Sequence, residues 1–292
     1  MPPTLRQLPW LLRRTLVASI DDGLFTIAKG AAYSGLLSLF PVLTSAAAIS
    51  IQIRADYVRQ KMAVFLAQVL PPGTEDAVLQ QFRYRGQRPT GLIVVAALLS
   101  LWAASSVIKS LMDGFNAAYH VPRNRSMLAH IGVGIMLVFL IVIPMLGASS
   151  LILFGGSVER EIMKLWKVDP VLNPLTPSLA LLFRAMRYVI AFGAAWTLTA
   201  ILYYFGPYRK QRWRDIWAGA LLATALWLLA TLGFSWYVRH ITNYNVMYGS
   251  IGTGIALLIW MYLLAIIELI GCEFNAEFER MRVAEASGAP RP

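Results

Sequence analysis

The sequence predicts an all-α protein that crosses a membrane six times. Three observations carry that prediction. The stretch from Gly249 to Ile267 contains no charged residue, and about 20 apolar residues at 1.5 Å rise each cover the hydrocarbon core of a bilayer. Five further apolar stretches of similar length punctuate the chain. Charged residues are only 14% of the 292 and hydrophobic residues 58%, whereas soluble domains carry roughly 25% charged residues. The mean hydropathy of +0.59 agrees. A helix apolar on every face has no place in an ordinary soluble domain of this size.

The first 28 residues place Leu8, Leu12, Leu16 and Ile20 four apart, with Arg6 ahead of them and Arg13 and Arg14 among them. That spacing predicts an amphipathic helix lying in the cytoplasmic interface. The apolar run is too interrupted for a cleaved leader. Asp21 and Asp22 are placed to cap the next helix. Residues 29–280 then form one membrane domain, with spans at about 30–53, 91–108, 128–154, 179–204, 216–238 and 251–272. Between the first two spans, residues 54–90 read as a helical extracytoplasmic excursion. Residues 281–292 read as a flexible polar tail.

Six spans put both termini on one side of the membrane. The short loops choose which: Arg209, Lys210, Arg212 and Arg214 crowd one loop, whereas Arg239 stands alone in the loop before the last span. The positive-inside bias then places both termini in the cytoplasm. The net charge of +11 comes in short runs between apolar segments. Its expected partners are therefore membrane lipids with anionic headgroups, not nucleic acid. A protein partner in the envelope, or a second copy of the chain, is left open.

Several polar residues fall at membrane depth. Ser34, Ser38, Pro41 and Ser45 make a stripe on the first span, continued by Ala48 and Gln52. Such a stripe either packs closely on a neighbouring helix or lines a wet cavity. Lys29 opens that span, Lys109 and Asp113 close the second, and Glu268 lies late in the sixth. Ionisable groups at this depth pair, snorkel or line a polar path. Glu268 reaches water least easily and is the leading candidate, expected to pair with Lys29 or Lys109 and close the cytoplasmic end of a cavity. Arg184 and Arg187 begin the fourth span. They either touch outer-leaflet lipid or hold phosphate headgroups bidentately.

No catalytic constellation is visible. His120, His130 and His240 are the only histidines and lie far apart, Cys272 is the only cysteine, and there is no Walker lysine or GxSxG elbow. No cofactor or metal is expected, and the chain reads as a non-enzyme. The glycines Gly249, Gly252 and Gly254 suit a tight turn and close helix contact better than a phosphate cradle.

Three stretches resemble the YihY/BrkB family of bacterial inner-membrane proteins, historically labelled ribonuclease BN. They are AAYSGLLSLFP (Ala31–Pro41), the run from Tyr203 to Val238 beginning YYFGPYRKQRW, and the element from Tyr248 to Phe278 that contains Gly271-x-Glu273-x-Asn275. The chain departs from the family pattern at Gly206, where a bulkier residue is usual, and at Glu268, where many members are apolar. The resemblance implies a six-helix inner-membrane fold and a role in envelope integrity. Some members are associated with lipid or lipopolysaccharide handling, so the resemblance implies the cargo, a phospholipid or lipopolysaccharide precursor. The polar stripes, the charges at membrane depth and the flanking arginines carry the expectation that such an amphiphile is transported or handled through an inter-helix polar cavity. The competing expectation is a non-transporting structural scaffold or assembly partner in the cell envelope, whose polar stripes only pack helices.

Overall fold

The computed structural model describes residues 7–52, 90–122, 126–165, 176–240 and 249–287. They form seven helices: α1 (Leu8–Asp21), α2 (Leu24–Gln52), α3 (Thr90–Ala118), α4 (Met127–Leu165), α5 (Thr176–Phe205), α6 (Trp213–His240) and α7 (Gly249–Ser287). Six of them, α2 to α7, are long and apolar enough to cross a membrane. Consecutive spans alternate in direction, so α1 and the end of α7 meet at one face, here termed the N-terminal face.

Helices adjacent in the chain pack as neighbours: α2 on α3, α3 on α4, α4 on α5, α5 on α6 and α6 on α7. Helix α7 closes the ring on α2 and also touches α3 and α1, which makes it the most buried span. The outer faces stay apolar, with Trp102 at 67% and Val189 at 70% exposure, as lipid-facing surfaces must be. Close packing inside depends on small residues. A Cβ on Gly219 of α6 would sit 2.1 Å from the Gly271 carbonyl oxygen of α7, and one on Gly271 would sit 2.4 Å from the Tyr203 hydroxyl. Asn275 fixes this crossing. Its Oδ1 accepts from the Gly219 N–H at 2.7 Å and its Nδ2 donates to the Ile216 carbonyl at 2.9 Å.

Helix α1 has two apolar faces with different neighbours. Leu11 and Ala18 are buried, with Leu11 packed beside Phe274, Phe278 and Met281 of α7. Leu12, Leu16 and Ile20 are exposed, whereas Leu8, the first of the four-apart stripe, packs against the same α7 residues as Leu11. Gly23, at φ 67°, ends the helix in the left-handed conformation. Asp22 does not cap α2. Its Oδ1 lies 2.9 Å from His120 Nε2 instead.

The helix ends differ from the sequence expectation in a consistent way. Helix α3 runs to Ala118 and not 108, because Lys109 and Asp113 lie within a helix that also buries Met112 and Phe115. Helix α7 continues past 280 to Ser287, with Met281 only 1% exposed, so the helical part of the C-terminal segment is docked. The excursion expected at 54–90 lies outside the described residues, save for its last position.

Candidate functional site

The N-terminal face holds a buried charge cluster built on one side of α7. Glu273, Glu277 and Arg280 are spaced four and three apart, which stacks them on one helix face. Both carboxylates are fully buried. Arg280 Nη1 lies 2.6 Å from Glu277 and 3.3 Å from Glu273. Arg14 of α1 approaches the other Glu277 oxygen at 3.4 Å, an ion contact without hydrogen-bond geometry. Arg280 Nη2 donates to the Ala118 carbonyl at 2.6 Å, one of the carbonyls that the end of α3 leaves without an intrahelical partner.

His120 follows that helix end at φ 52°. Its N–H reaches the Ala117 carbonyl and the next N–H reaches Asn116, the pattern that normally takes glycine. The ring repays the strained backbone position by bridging elements. Nε2 lies 2.9 Å from Asp22, and Arg280 Nη2 lies 3.3 Å from Nδ1 and 3.4 Å from Nε2, so the ring stands between the acid and the guanidinium. Arg209 pairs with Glu279, and Arg282 with Asp215 at 2.7 Å. The cluster thus ties α1, the α1–α2 corner, the end of α3 and the start of α6 to α7.

Beside it, under α1, lies a cavity of about 840 Å³. Its two long walls share one order. Along α6 the lining residues run Arg214, Trp217, Leu221, Ala225, and along α7 they run Arg282, Phe278, Phe274. Guanidinium groups stand at the end near the helix termini, here termed the mouth, and apolar side chains line the rest over roughly 16 Å of α6 at 1.5 Å per residue, with Leu221 40% exposed along an open side. Leu8 and Leu12 of α1 cover one side, and Trp196 of α5 closes another. Trp196 is held there by donating to the Trp217 carbonyl at 3.0 Å and by an edge contact with its ring. A smaller cavity of about 480 Å³ between α2 and α3 is lined by Thr26, Ser110, Asp113 and Asn116.

The residues singled out in the sequence do not converge on one site. Glu268 is enclosed between α7 and α5: Thr199 Oγ1 donates to Oε1 at 3.4 Å, and Tyr203 donates to the backbone carbonyl of Glu268 at 2.7 Å. Its Oε2 is buried with no hydrogen-bond partner. The expected ion pair with Lys29 or Lys109 is not made. Lys29 is exposed on α2, and the Lys109 stem lies against Gly134 of α4. Ser45 packs helices, its Oγ 2.8 Å from Ser100 Oγ of α3, and Ser38 donates back to the Gly35 carbonyl. Ser34 and Pro41 are half-buried on α2, while the side chains of Ala48, Gln52 and Arg184 lie outside the described set. Asp113 sits 3.7 Å from His130. Arg187 lies on α5 toward the opposite face, away from the large cavity.

The sequence reading missed Glu273, Glu277, Arg280 and Arg14 as a unit, and it missed the cavity. The spacing of the three α7 residues was an available signal. Among the described residues, no three His, Cys, Asp or Glu side chains are grouped to hold a metal ion.

A ring of six apolar helices with charges gathered at one end defines a polytopic α-helical membrane protein. Comparison makes the assignment finer. Residues 16–292 match the family model described as virulence factor BrkB, and the chain belongs to that family. A Bacillus subtilis (strain 168) protein, YfkH, described by name as ribonuclease-like, is 30% identical over 84% of this chain and 86% of its own length. A UPF0761 membrane protein of Tolumonas auensis is 27% identical over 87% of this chain and 80% of its own. Another, from Alteromonas mediterranea, is 26% identical over 93% and 88%. No solved structure matches significantly.

Proposed function

We propose that this protein resides in the bacterial inner membrane, with both termini cytoplasmic, and transports or handles an amphiphile without catalysing its chemistry. The observation that supports this reading is the shared order of the two cavity walls: arginine at the mouth, aromatic and aliphatic side chains below. A molecule with a polar head and a hydrocarbon tail matches that order, and 840 Å³ falls within the usual size of ligand cavities. The cavity lies against the interfacial helix α1, at the depth where a lipid of that leaflet would enter. Ser45 in the polar stripe of α2 is engaged in helix packing and lies outside this cavity.

One observation favours the alternative, a non-transporting envelope scaffold. The Gly219–Gly271–Tyr203 crossing is tight, and Glu268 is enclosed beside it. Translocation of fluorescent phospholipid in proteoliposomes separates the two. Movement that depends on the protein and is lost when Ala225→Trp fills the cavity supports handling. Absence of movement with folded wild-type protein supports the scaffold.

A further inference from the structure

The mouth of the large cavity carries more positive charge than its own residues neutralise. Arg212, Arg214 and Arg282 all line it, with Asp215 as the carboxylate among the lining residues. Asp215 is engaged by Arg282 at 2.7 Å. Arg212 and Arg214 have no acidic partner among the described residues and are exposed. Arg214 sits one turn above Trp217, where the apolar wall begins, and Arg212 lies just before the start of α6. Two unpaired guanidinium groups over a hydrocarbon-lined slot are complementary to a phosphate carrying acyl chains, because guanidinium binds phosphate oxygens in a bidentate fork.

We infer that the cavity under α1 is a site for an anionic phospholipid, its phosphate on Arg212 and Arg214 and an acyl chain along Trp217, Leu221 and Phe274. This rests on the amphiphile reading above and adds the charge of the headgroup and the residues that seat it. A zwitterionic lipid fits less well, since its amine would lie beside the same guanidinium groups. The Asp215 carboxylate holds Arg282 and also repels an arriving phosphate, so it sets how strongly the mouth selects for charge. The headgroup contacts expected at Arg184 and Arg187 belong to the other end of the bundle and are not part of this site.

The test uses full-length protein in vesicles of phosphatidylcholine containing a trace of photoactivatable phosphatidylglycerol or, in parallel, photoactivatable phosphatidylcholine with the same chains. Cross-linked peptides are mapped by mass spectrometry. The anionic probe is expected to label peptides containing Leu12, Leu221 and Phe274, and to exceed the zwitterionic probe there about tenfold. That excess is expected to vanish in Arg212→Gln/Arg214→Gln and to grow in Asp215→Asn, both checked for unchanged thermal unfolding. Equal labelling by both probes within the cavity, or an excess indifferent to these substitutions, overturns the anionic site while leaving an amphiphile site standing. Labelling of the outer faces alone, by both probes, overturns the amphiphile reading as well.

Discussion

Single atoms decide the packing of the bundle at Gly271. A methyl group there would meet the Tyr203 hydroxyl, Ala223 Cβ and the Gly219 carbonyl, at 2.4, 2.6 and 2.8 Å. Gly271→Ala is therefore expected to destabilise by about 1–3 kcal/mol through overpacking, read as a lowered unfolding temperature in detergent. Tyr203→Phe in the same chain should recover part of that loss by removing one of the three obstacles. Asn275→Ala strips two hydrogen bonds from the same crossing and is expected to cost about 1–2 kcal/mol. Asn275→Asp keeps the acceptor for Gly219 but turns a carboxylate oxygen toward the Ile216 carbonyl with no countercharge, so a loss larger than that of Asn275→Ala is expected. Glu268 behaves differently. Its Oε2 has no partner, so Glu268→Gln should leave the fold intact or firmer, because burial without a countercharge is costly for a carboxylate.

Helices α1 and α7 form a unit held by the charge cluster. Arg280 is the shared cation for two carboxylates that are fully buried, and removing one partner of a buried pair leaves the other uncompensated, at about 3–5 kcal/mol. Arg280→Gln should therefore unfold the protein at a clearly lower temperature. Arg282→Gln should change little, since the Arg282–Asp215 pair is 44% and 26% exposed and exposed pairs contribute about 0–1 kcal/mol. Arg14→Ala loosens only the tie from α1. Limited proteolysis should then cut within residues 8–21 while the six spans stay protected, and equal resistance to cleavage would show that the packing of Leu8, Trp10 and Leu11 and the remaining polar contacts hold α1 without Arg14.

Much of the architecture was legible in the sequence because lipid imposes one rule on every span: backbone groups must bond internally and outer faces must be apolar. The six apolar stretches follow from that rule. Helix ends were less legible. Lys109 marks polarity and not termination, so α3 continues through it, and α7 carries its charges onward to Ser287. Gly271-x-Glu273-x-Asn275 was visible as a resemblance, and the structure supplies its physics: a crossing point, a buried acid and a grip on α6. The cavity was not legible. Its walls come from four segments distant in the chain, and the arginine-to-aromatic order on α6 gains meaning only when α7 repeats it alongside. Cys272, fully buried in the bundle, offers a check on the whole assembly: it should resist maleimide in the folded protein and react on unfolding.

The most direct measurement is the phospholipid retained by the purified protein, quantified by native mass spectrometry for wild type beside Ala225→Trp. The wild type is expected to hold a phosphate-bearing lipid through delipidation, and the cavity-filled variant to lose it while unfolding at a similar temperature. Equal retention by both proteins would contradict a lipid site under α1, as would its absence from both.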